Sequence, residues 1–163
     1  MFSFSKEFNK PLNNWNVSNV TNMDYMFYSA KNFNQNISSW DISNVINMVS
    51  MFYGTREFNQ NISNWNLENI EDLNEIFEEA KAFIKKYNSD KPLPEDTKEI
   101  KNWFNLNRER MNMIDIKEKH GKEVDSFFSN ITDIYSTNRI GLHENLLTEC
   151  NKSSNRMQQA ICL

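Results

Sequence analysis

The chain has 163 residues, enough for one ordinary domain or for a short repeat array with an appended helical segment. Its 18 basic and 22 acidic residues give a net charge of −4, which leaves no basic excess to hold phosphates and argues against nucleic acid as a partner. The two cysteines, Cys150 and Cys162, form neither a disulfide framework nor a recognised metal-binding spacing with the histidines. We therefore expect no metal and no cofactor.

A segment of 25 residues is repeated along the first half of the chain. Phenylalanine recurs at this spacing, and other apolar positions repeat in the same phase without an insertion. These positions are Phe8, Phe33, Phe58, Phe83; Trp15, Trp40, Trp65; Val17, Ile42, Leu67; Val20, Val45, Ile70; Met23, Met48, Leu73; Met26, Met51, Ile76; and Phe27, Phe52, Phe77. A fixed period in this range is typical of solenoids, in which each unit buries its apolar side on its neighbours. The units are residues 8–32, 33–57 and 58–82.

Within each repeat the periodicity changes. Apolar and polar residues alternate in Trp40, Asp41 and Ile42, which predicts a short strand. The next apolar residues lie on one stripe of a helix of about three turns, from Val45 to Thr55. Asparagine stands at the expected N-cap of each such helix, at Asn19, Asn44 and Asn69. Stacked repeats of this kind would form an α/β solenoid with a parallel strand ladder on one side and helices on the other.

Asparagine occurs 27 times, 16 of them within the first 70 residues, whereas glycine occurs only three times. Asn tolerates left-handed backbone conformations and bonds to nearby backbone, so it can replace Gly at the corners of the repeats. Codon bias in an AT-rich genome is the alternative explanation.

The repeated run Phe-Asn-Gln-x-Ile-Ser-x-Trp-Asn/Asp-x-Ser-Asn-Val-x-Asn-Met-x-x-Met-Phe resembles the BspA-like leucine-rich repeat of bacterial surface proteins, also called the mycoplasma-type lipoprotein repeat of unknown function. The resemblance covers residues 8–70 and fades by residue 83. It implies a short leucine-rich-repeat-like stack of strand-helix coils, an adhesin or interaction protein without enzymatic activity, and a cell-surface or secreted location. The N-terminal residues lack the pattern of a signal peptide, which leaves a cytoplasmic location open.

The third repeat becomes acidic toward its end and is followed by lysines. The acidic residues are Glu68, Glu71, Asp72, Glu75, Glu78 and Glu79, and the lysines are Lys81, Lys85 and Lys86. This order suits a helix dipole and i,i+4 pairs, so we predict a lengthened last helix over residues 70–87 whose polar outer face ends the stack. A charged binding site for a partner is the alternative interpretation.

A different kind of sequence follows a linker that contains two prolines. Proline followed by two acidic residues marks a helix start at Glu95, and apolar residues from Ile100 onward mark one helical face to about residue 118. A second apolar stripe, which contains Phe127 and Phe128, predicts an antiparallel helical hairpin. The predicted domains are a repeat solenoid over 1–87, the linker over 88–94, a helical hairpin and cap over 95–150 and a tail over 151–163.

Solenoids usually bind partners with the exposed face of their repeated ladder. Here that face is predicted to carry polar side chains at equivalent positions of the three repeats. We call the following nine residues the polar face: Asn14, Asn16, Ser18, Ser39, Asp41, Ser43, Asn64, Asn66 and Glu68. These side chains can hydrogen-bond a protein or glycan, but they include none of the Tyr, Trp and Arg anchors of interface hot spots, so a merely solvated surface is the alternative. The repeated tryptophans alternate onto the apolar side, which favours a buried position over a platform for sugars.

No Gly-rich phosphate loop, G-x-S-x-G or H-E-x-x-H pattern occurs in the sequence, so we expect no enzymatic activity. No segment approaches the roughly 18 apolar residues of a membrane span. The sequence predicts a monomeric repeat protein that binds an unidentified protein or host-surface ligand through the polar face. The alternative is an intracellular scaffold protein that recruits a partner with C-terminal helices around Trp103, Phe127 and Phe128.

Overall fold

The computed structural model describes residues 1–121. Two helices occur in this part of the chain, α1 at Lys81–Asn88 and α2 at Thr97–His120, and it contains no strand. Residues 1–112 form one compact unit, and a second unit begins at Met113. The predicted second helix of the hairpin, with Phe127 and Phe128, and the predicted tail lie outside the described residues. The fold below therefore concerns the repeats, α1 and α2.

Backbone hydrogen bonds stack the repeats in register. The amide of Phe27 donates to the carbonyl of Met51, one repeat later, and the amide of Phe52 donates in the same way to Ile76. Four amides of each of the first two repeats, and two amides of the N-terminal segment, make such bonds, with N···O distances of 2.7 to 3.0 Å. The donors are Phe2, Phe4, Met23, Tyr25, Phe27, Ser29, Met48, Ser50, Phe52 and Gly54. We call this set of bonds the ladder.

The backbone that carries the ladder is a succession of turns. In the first repeat, the amides of Met26 and Ala30 donate to the carbonyls three residues earlier, at Met23 and Phe27. The third residue of each of these two turns has a positive φ, and the same two positions have positive φ in the next two repeats. These residues are Tyr25 and Ser29, Ser50 and Gly54, and Glu75 and Glu79. A positive φ at the third position is the mark of a type II turn, and its recurrence interrupts any helix.

The predicted α/β solenoid, with its leucine-rich-repeat-like strands and helices, is therefore wrong for residues 1–121. The segment from Val45 to Thr55 is not a helix, because its alternate amides bond to the next repeat and not to the carbonyl four residues back. The segment Trp40 to Ile42 is not a strand, because its bonds are local: Trp40 N–H donates to Ile37 O at 3.1 Å, and Val45 N–H donates to Ile42 O at 2.9 Å. The only β-type pairings among residues 1–121 are two isolated parallel bridges, Asn22 with Asn47 and Asn47 with Asp72.

The last predicted helix is also shorter than expected. The sequence predicts it over residues 70–87, whereas α1 begins at Lys81 and ends at Asn88. Positive φ values at Glu75 and Glu79 keep the preceding segment in the same turns as the earlier repeats. The acidic side chains therefore project from turns and do not share the face of one helix.

Asparagine side chains connect neighbouring repeats by hydrogen bonds, but the asparagines do not adopt the left-handed backbone conformation that we expected. No asparagine is found among the positive-φ residues of the described chain. Instead, Asn44 Nδ2 donates to the carbonyl of Ser18 at 2.8 Å, so Asn44 bridges two repeats and does not cap a helix. Asn9 Oδ1 accepts from the amide of Asn34 at 2.9 Å, and Asn34 Oδ1 accepts from Asn59 at 3.1 Å. The abundance of asparagine thus has a structural use in these hydrogen bonds.

Two columns of stacked phenylalanines fill the interior of the repeats. One column consists of Phe8, Phe33, Phe58 and Phe83, with ring centroids 6.0 Å apart, and the other of Phe2, Phe27, Phe52, Phe77 and Phe104, with centroids 5.6 to 5.8 Å apart. Trp40 and Trp65 are buried beside them, as the alternation predicts. Trp15 of the first repeat differs, because it is 42% exposed.

Gly54 is the one glycine of the ladder, and we expect Gly54→Ala to lower the free energy of unfolding by about 1 to 2 kcal/mol, because an L side chain is disfavoured in left-handed backbone. Its φ is +64°, and an added Cβ would lie 3.2 Å from Ser29 Oγ. Urea unfolding followed by tryptophan fluorescence measures the loss. The double variant Ser29→Ala/Gly54→Ala should recover part of it by removing the hydroxyl contact. No loss in the single variant would contradict the assigned backbone conformation.

Candidate functional site

The polar face is largely accessible in the structure. Eight of its nine residues are exposed, and Ser18 is half-buried. The exposure follows from the alternation in the sequence, because Trp40, Ile42, Trp65 and Leu67 point into the core between them. A binding role for these side chains stays a prediction.

One residue of each repeat on the polar face uses a side-chain oxygen to hold the local backbone. Asn16 Oδ1 accepts from the amide of Ser18 at 3.1 Å, and Asp41 Oδ1 accepts from the amide of Ser43 at 3.1 Å. In the third repeat Asn66 Oδ1 accepts from the amide two residues later at 3.0 Å. These bonds form Asx turns, which fix the side chains in equivalent orientations.

The carboxylate of Asp41 is the charged member of this series. A hydrogen bond from the Ser43 hydroxyl, and a second from the Ser43 amide, hold the pKa of Asp41 below its usual value. Both bonds favour the ionised form of the Asp41 carboxylate. The middle repeat therefore presents an anion where the repeats on either side present neutral amides.

Asn14, Ser39 and Asn64 occupy a second equivalent position on the polar face, and two of them bond to the preceding repeat. Asn64 Nδ2 donates to the carbonyl of Ser38 at 2.7 Å, and Ser39 Oγ donates to the carbonyl of Asn13 at 3.4 Å. Asn14 accepts from the side-chain amide of Asn13 at 3.0 Å. These side chains are therefore partly occupied in structural bonds, which fixes the relative position of the repeats that a ligand would contact.

A shallow depression of about 190 Å³ lies on the polar face between the second and third repeats. Its lining includes four residues of the predicted set, Asp41, Ser43, Asn64 and Asn66, together with Asn69. Trp40, Ile42 and Trp65 also line it. The structure thus brings together the predicted residues of two repeats, whereas the remaining five, Asn14, Asn16, Ser18, Ser39 and Glu68, do not line the depression.

A larger cavity, of about 360 Å³, lies where the third repeat ends, and the sequence did not lead us to it. We call it the ladder-end cavity. Its polar lining consists of Glu75, Glu78, Glu79, Lys81, Asp90 and Glu95, and its apolar lining of Phe77, Ile84, Pro92, Leu93 and Pro94. The acidic residues are evident in the sequence, but the prediction of one helix over residues 70–87 placed them on a helical face and not around a cavity. Asp90 and residues 92–95, which precede α2, also line the cavity, and only the folded chain brings them next to the acidic residues.

The carboxylates of the ladder-end cavity perturb one another. Partial burial raises the pKa of Glu78, and the negative charges of Glu75, Glu95 and Glu79 raise it further. Lys81 Nζ lies 3.8 Å from a carboxylate oxygen of Glu79. With five acidic side chains and one lysine, the lining has a formal charge of −5 + 1 = −4. The cavity is therefore suited to a cationic group.

Neither a membrane span nor a metal site is visible in the part of the chain that the structure describes. Within residues 1–121 no helix has the length and apolar character needed to cross a bilayer. The same residues contain no group of three or more His, Cys, Asp or Glu side chains placed to hold a metal ion.

Comparison with known proteins gives a single kind of match. A family model described as "Mycoplasma protein of unknown function, DUF285" matches residues 1–91, which include all three repeats and α1. No curated protein and no solved structure matches the chain. The match supports the mycoplasma-type part of the resemblance seen in the sequence, while the BspA-like leucine-rich repeat is not confirmed by it.

Proposed function

This chain belongs to the DUF285 family of Mycoplasma proteins of unknown function, and from that premise we propose that it is a non-enzymatic module whose polar face binds a protein or another ligand on a host surface. The observation that carries the proposal is the depression between the second and third repeats, where Asp41 and Asn66 occupy equivalent positions of adjacent repeats. A ligand that spans several repeats would meet the same kind of side chain at each step.

The size of the depression favours a large ligand over a small substrate. Pockets that enclose small molecules usually measure about 300 to 1,000 Å³. At about 190 Å³ the depression takes only one protruding group, such as an amide or hydroxyl, of a larger molecule. Contacts with neighbouring repeats would then supply the rest of the affinity.

The rigidity of the repeats supports the same function. The Asx turns of Asn16, Asp41 and Asn66 and the bond from Asn64 to Ser38 hold the polar face in place before a ligand arrives. Preorganised side chains lose little conformational entropy on binding, so a shallow polar surface can still contribute affinity. The resemblance to BspA-like surface proteins is what favours a host surface as the location of the ligand.

A binding experiment with intact epithelial cells tests this proposal. We expect the fluorescently labelled full chain to bind the cells and the variant Asp41→Arg/Asn66→Arg to bind about tenfold less tightly, a loss of about 1.4 kcal/mol, because the depression would be filled and its charge reversed. The matched control is Glu109→Arg/Asn105→Arg, which makes the same change in charge at exposed positions of α2. Equal binding by the two variants, or no binding by the unaltered chain, would reject the proposal.

The scaffold alternative gains no support from Trp103. Its Nε1 donates to Asn88 Oδ1 at 3.1 Å, and its ring packs against Phe104 with centroids 5.4 Å apart. Its neighbour Phe104 is buried and stacks on Phe77 of the third repeat. A tryptophan already engaged within the chain offers little to recruit another helix, and Phe127 and Phe128 lie outside the described residues.

A further inference from the structure

The ladder is incomplete at its last step, and the open positions lie at the ladder-end cavity. The amides of Phe2, Phe27 and Phe52 each donate to the next repeat, and Phe77 is the next residue in this series. The amides of Phe4, Ser29 and Gly54 do likewise, and Glu79 continues that series. Neither Phe77 N–H nor Glu79 N–H has an acceptor among residues 1–121, although both residues line the cavity.

The segment that ends at Thr97, the first residue of α2, occupies only the first two positions of this last step. Leu73 N–H donates to Thr97 Oγ1 at 2.8 Å, and Glu75 N–H donates to the carbonyl of Glu95 at 2.9 Å. The chain then diverges, because the side-chain amide of Asn88 holds the carbonyls of Lys91 and Pro92 at 2.9 and 3.1 Å. The next two amides of the ladder are left facing a cavity.

From these contacts we propose that the ladder-end cavity binds an extended, lysine- or arginine-rich segment of a partner protein, whose carbonyl oxygens accept hydrogen bonds from Phe77 N–H and Glu79 N–H. This is strand addition, in which backbone bonds to an open edge supply affinity and side-chain pockets supply specificity. The site is separate from the polar face and does not depend on the function proposed for it.

Charge complementarity identifies the segment as basic. The cavity lining has a formal charge of −4, and its single lysine is already near Glu79. Partial burial raises the pKa of Glu78, and the negative charges of Glu75 and Glu95 raise it further. A cation between them would relieve this repulsion and form charge-assisted hydrogen bonds, which are stronger than neutral ones.

The apolar part of the lining selects among cations. Phe77, Ile84 and Leu93 provide hydrocarbon surface beside the carboxylates. Lysine and arginine bury the methylene part of their side chains along such surface while the charged end reaches a polar partner. A compact inorganic cation would leave this surface uncovered, so the mixed lining fits a basic side chain on an extended backbone better.

Peptide titration monitored by NMR of the full chain tests the proposal. The probe is a nine-residue peptide of alternating lysine and valine, and the control peptide has glutamate in place of lysine. We expect the lysine peptide to shift the amide signals of Phe77 and Glu79 and to slow their hydrogen exchange, since both amides would gain acceptors. The glutamate peptide should leave both signals unchanged.

Matched variants separate the cavity from general charge attraction. Glu78→Gln/Glu95→Gln should weaken binding of the lysine peptide by about tenfold or more, while Glu57→Gln/Glu109→Gln, which removes two exposed carboxylates elsewhere, should not. Asp41→Arg/Asn66→Arg should bind the peptide normally, so failure of the polar face and failure of this cavity are distinguishable. Equal binding by the two glutamine variants, binding without protection of Phe77 and Glu79, or no binding of the lysine peptide would overturn the proposal.

Discussion

Phe52→Ala is expected to lower the free energy of unfolding by about 3 to 5 kcal/mol, the usual range for truncating a buried aromatic side chain. Phe52 is 0% exposed and is the middle residue of the column Phe2, Phe27, Phe52, Phe77 and Phe104. It stacks on Phe27 and Phe77 at 5.8 and 5.6 Å and on Phe58 at 4.2 Å. Its removal therefore opens a void that rings of two adjacent repeats border, and the ladder prevents those repeats from closing on it.

Urea unfolding followed by tryptophan fluorescence measures this loss. Ile46→Ala is the control, because Ile46 is in the same repeat but 39% exposed, and we expect it to cost less than about 1 kcal/mol. The denaturant dependence of the unfolding free energy should be similar in both variants, since the same surface is exposed on unfolding. A loss for Phe52→Ala no larger than that for Ile46→Ala would contradict the stacked core.

Phe104→Ala should also lower the free energy of unfolding by about 3 to 5 kcal/mol, because it truncates another buried aromatic side chain. Phe104 is 1% exposed and extends the second phenylalanine column by stacking on Phe77 at 5.8 Å. Through this ring, α2 extends the apolar core of the last repeat. Without its ring, the apolar end of the stack would be exposed to water.

Polar contacts along α2 add to this effect, because they depend on the same docked position. Arg108 donates to the carbonyls of Ser63 and Trp65, and Asn112 Oδ1 accepts from Ser63 Oγ at 2.6 Å. If α2 separates from the repeats, these half-buried groups lose their partners. Water would replace these partners, so each lost hydrogen bond costs a net of about 0.5 to 1.5 kcal/mol.

Leu106→Ala is the matched control on the same helix, because Leu106 is 84% exposed. Its unfolding free energy should stay within about 0.5 kcal/mol of that of the unaltered chain. Circular dichroism and tryptophan fluorescence should report one shared transition for Phe104→Ala if α2 and the repeats unfold together. Similar stabilities for the Phe104 and Leu106 variants would show that α2 does not cover the third repeat.

The sequence alone determined the repeat and most of its buried side chains, with Trp15 as an exception. The 25-residue spacing identifies the positions of the phenylalanine columns, and the alternation around Trp40 and Trp65 correctly separates core from surface. Burial can be predicted in this way because it follows from apolar residues at a fixed spacing, and turns and helices can both place such residues in the core. The same alternation is the basis on which the residues of the polar face were chosen.

Only the tertiary structure decided the backbone conformation and the ladder-end cavity. Apolar residues three and four positions apart, as from Val45 to Thr55, fit a helix and a succession of turns equally well. The segment forms turns because the amides of Ser50, Phe52 and Gly54 bond to the next repeat. Such bonds require partners about 25 residues away in the chain. The cavity likewise combines Glu75 to Glu79 with the segment before α2, and no local pattern encodes such long-range contacts.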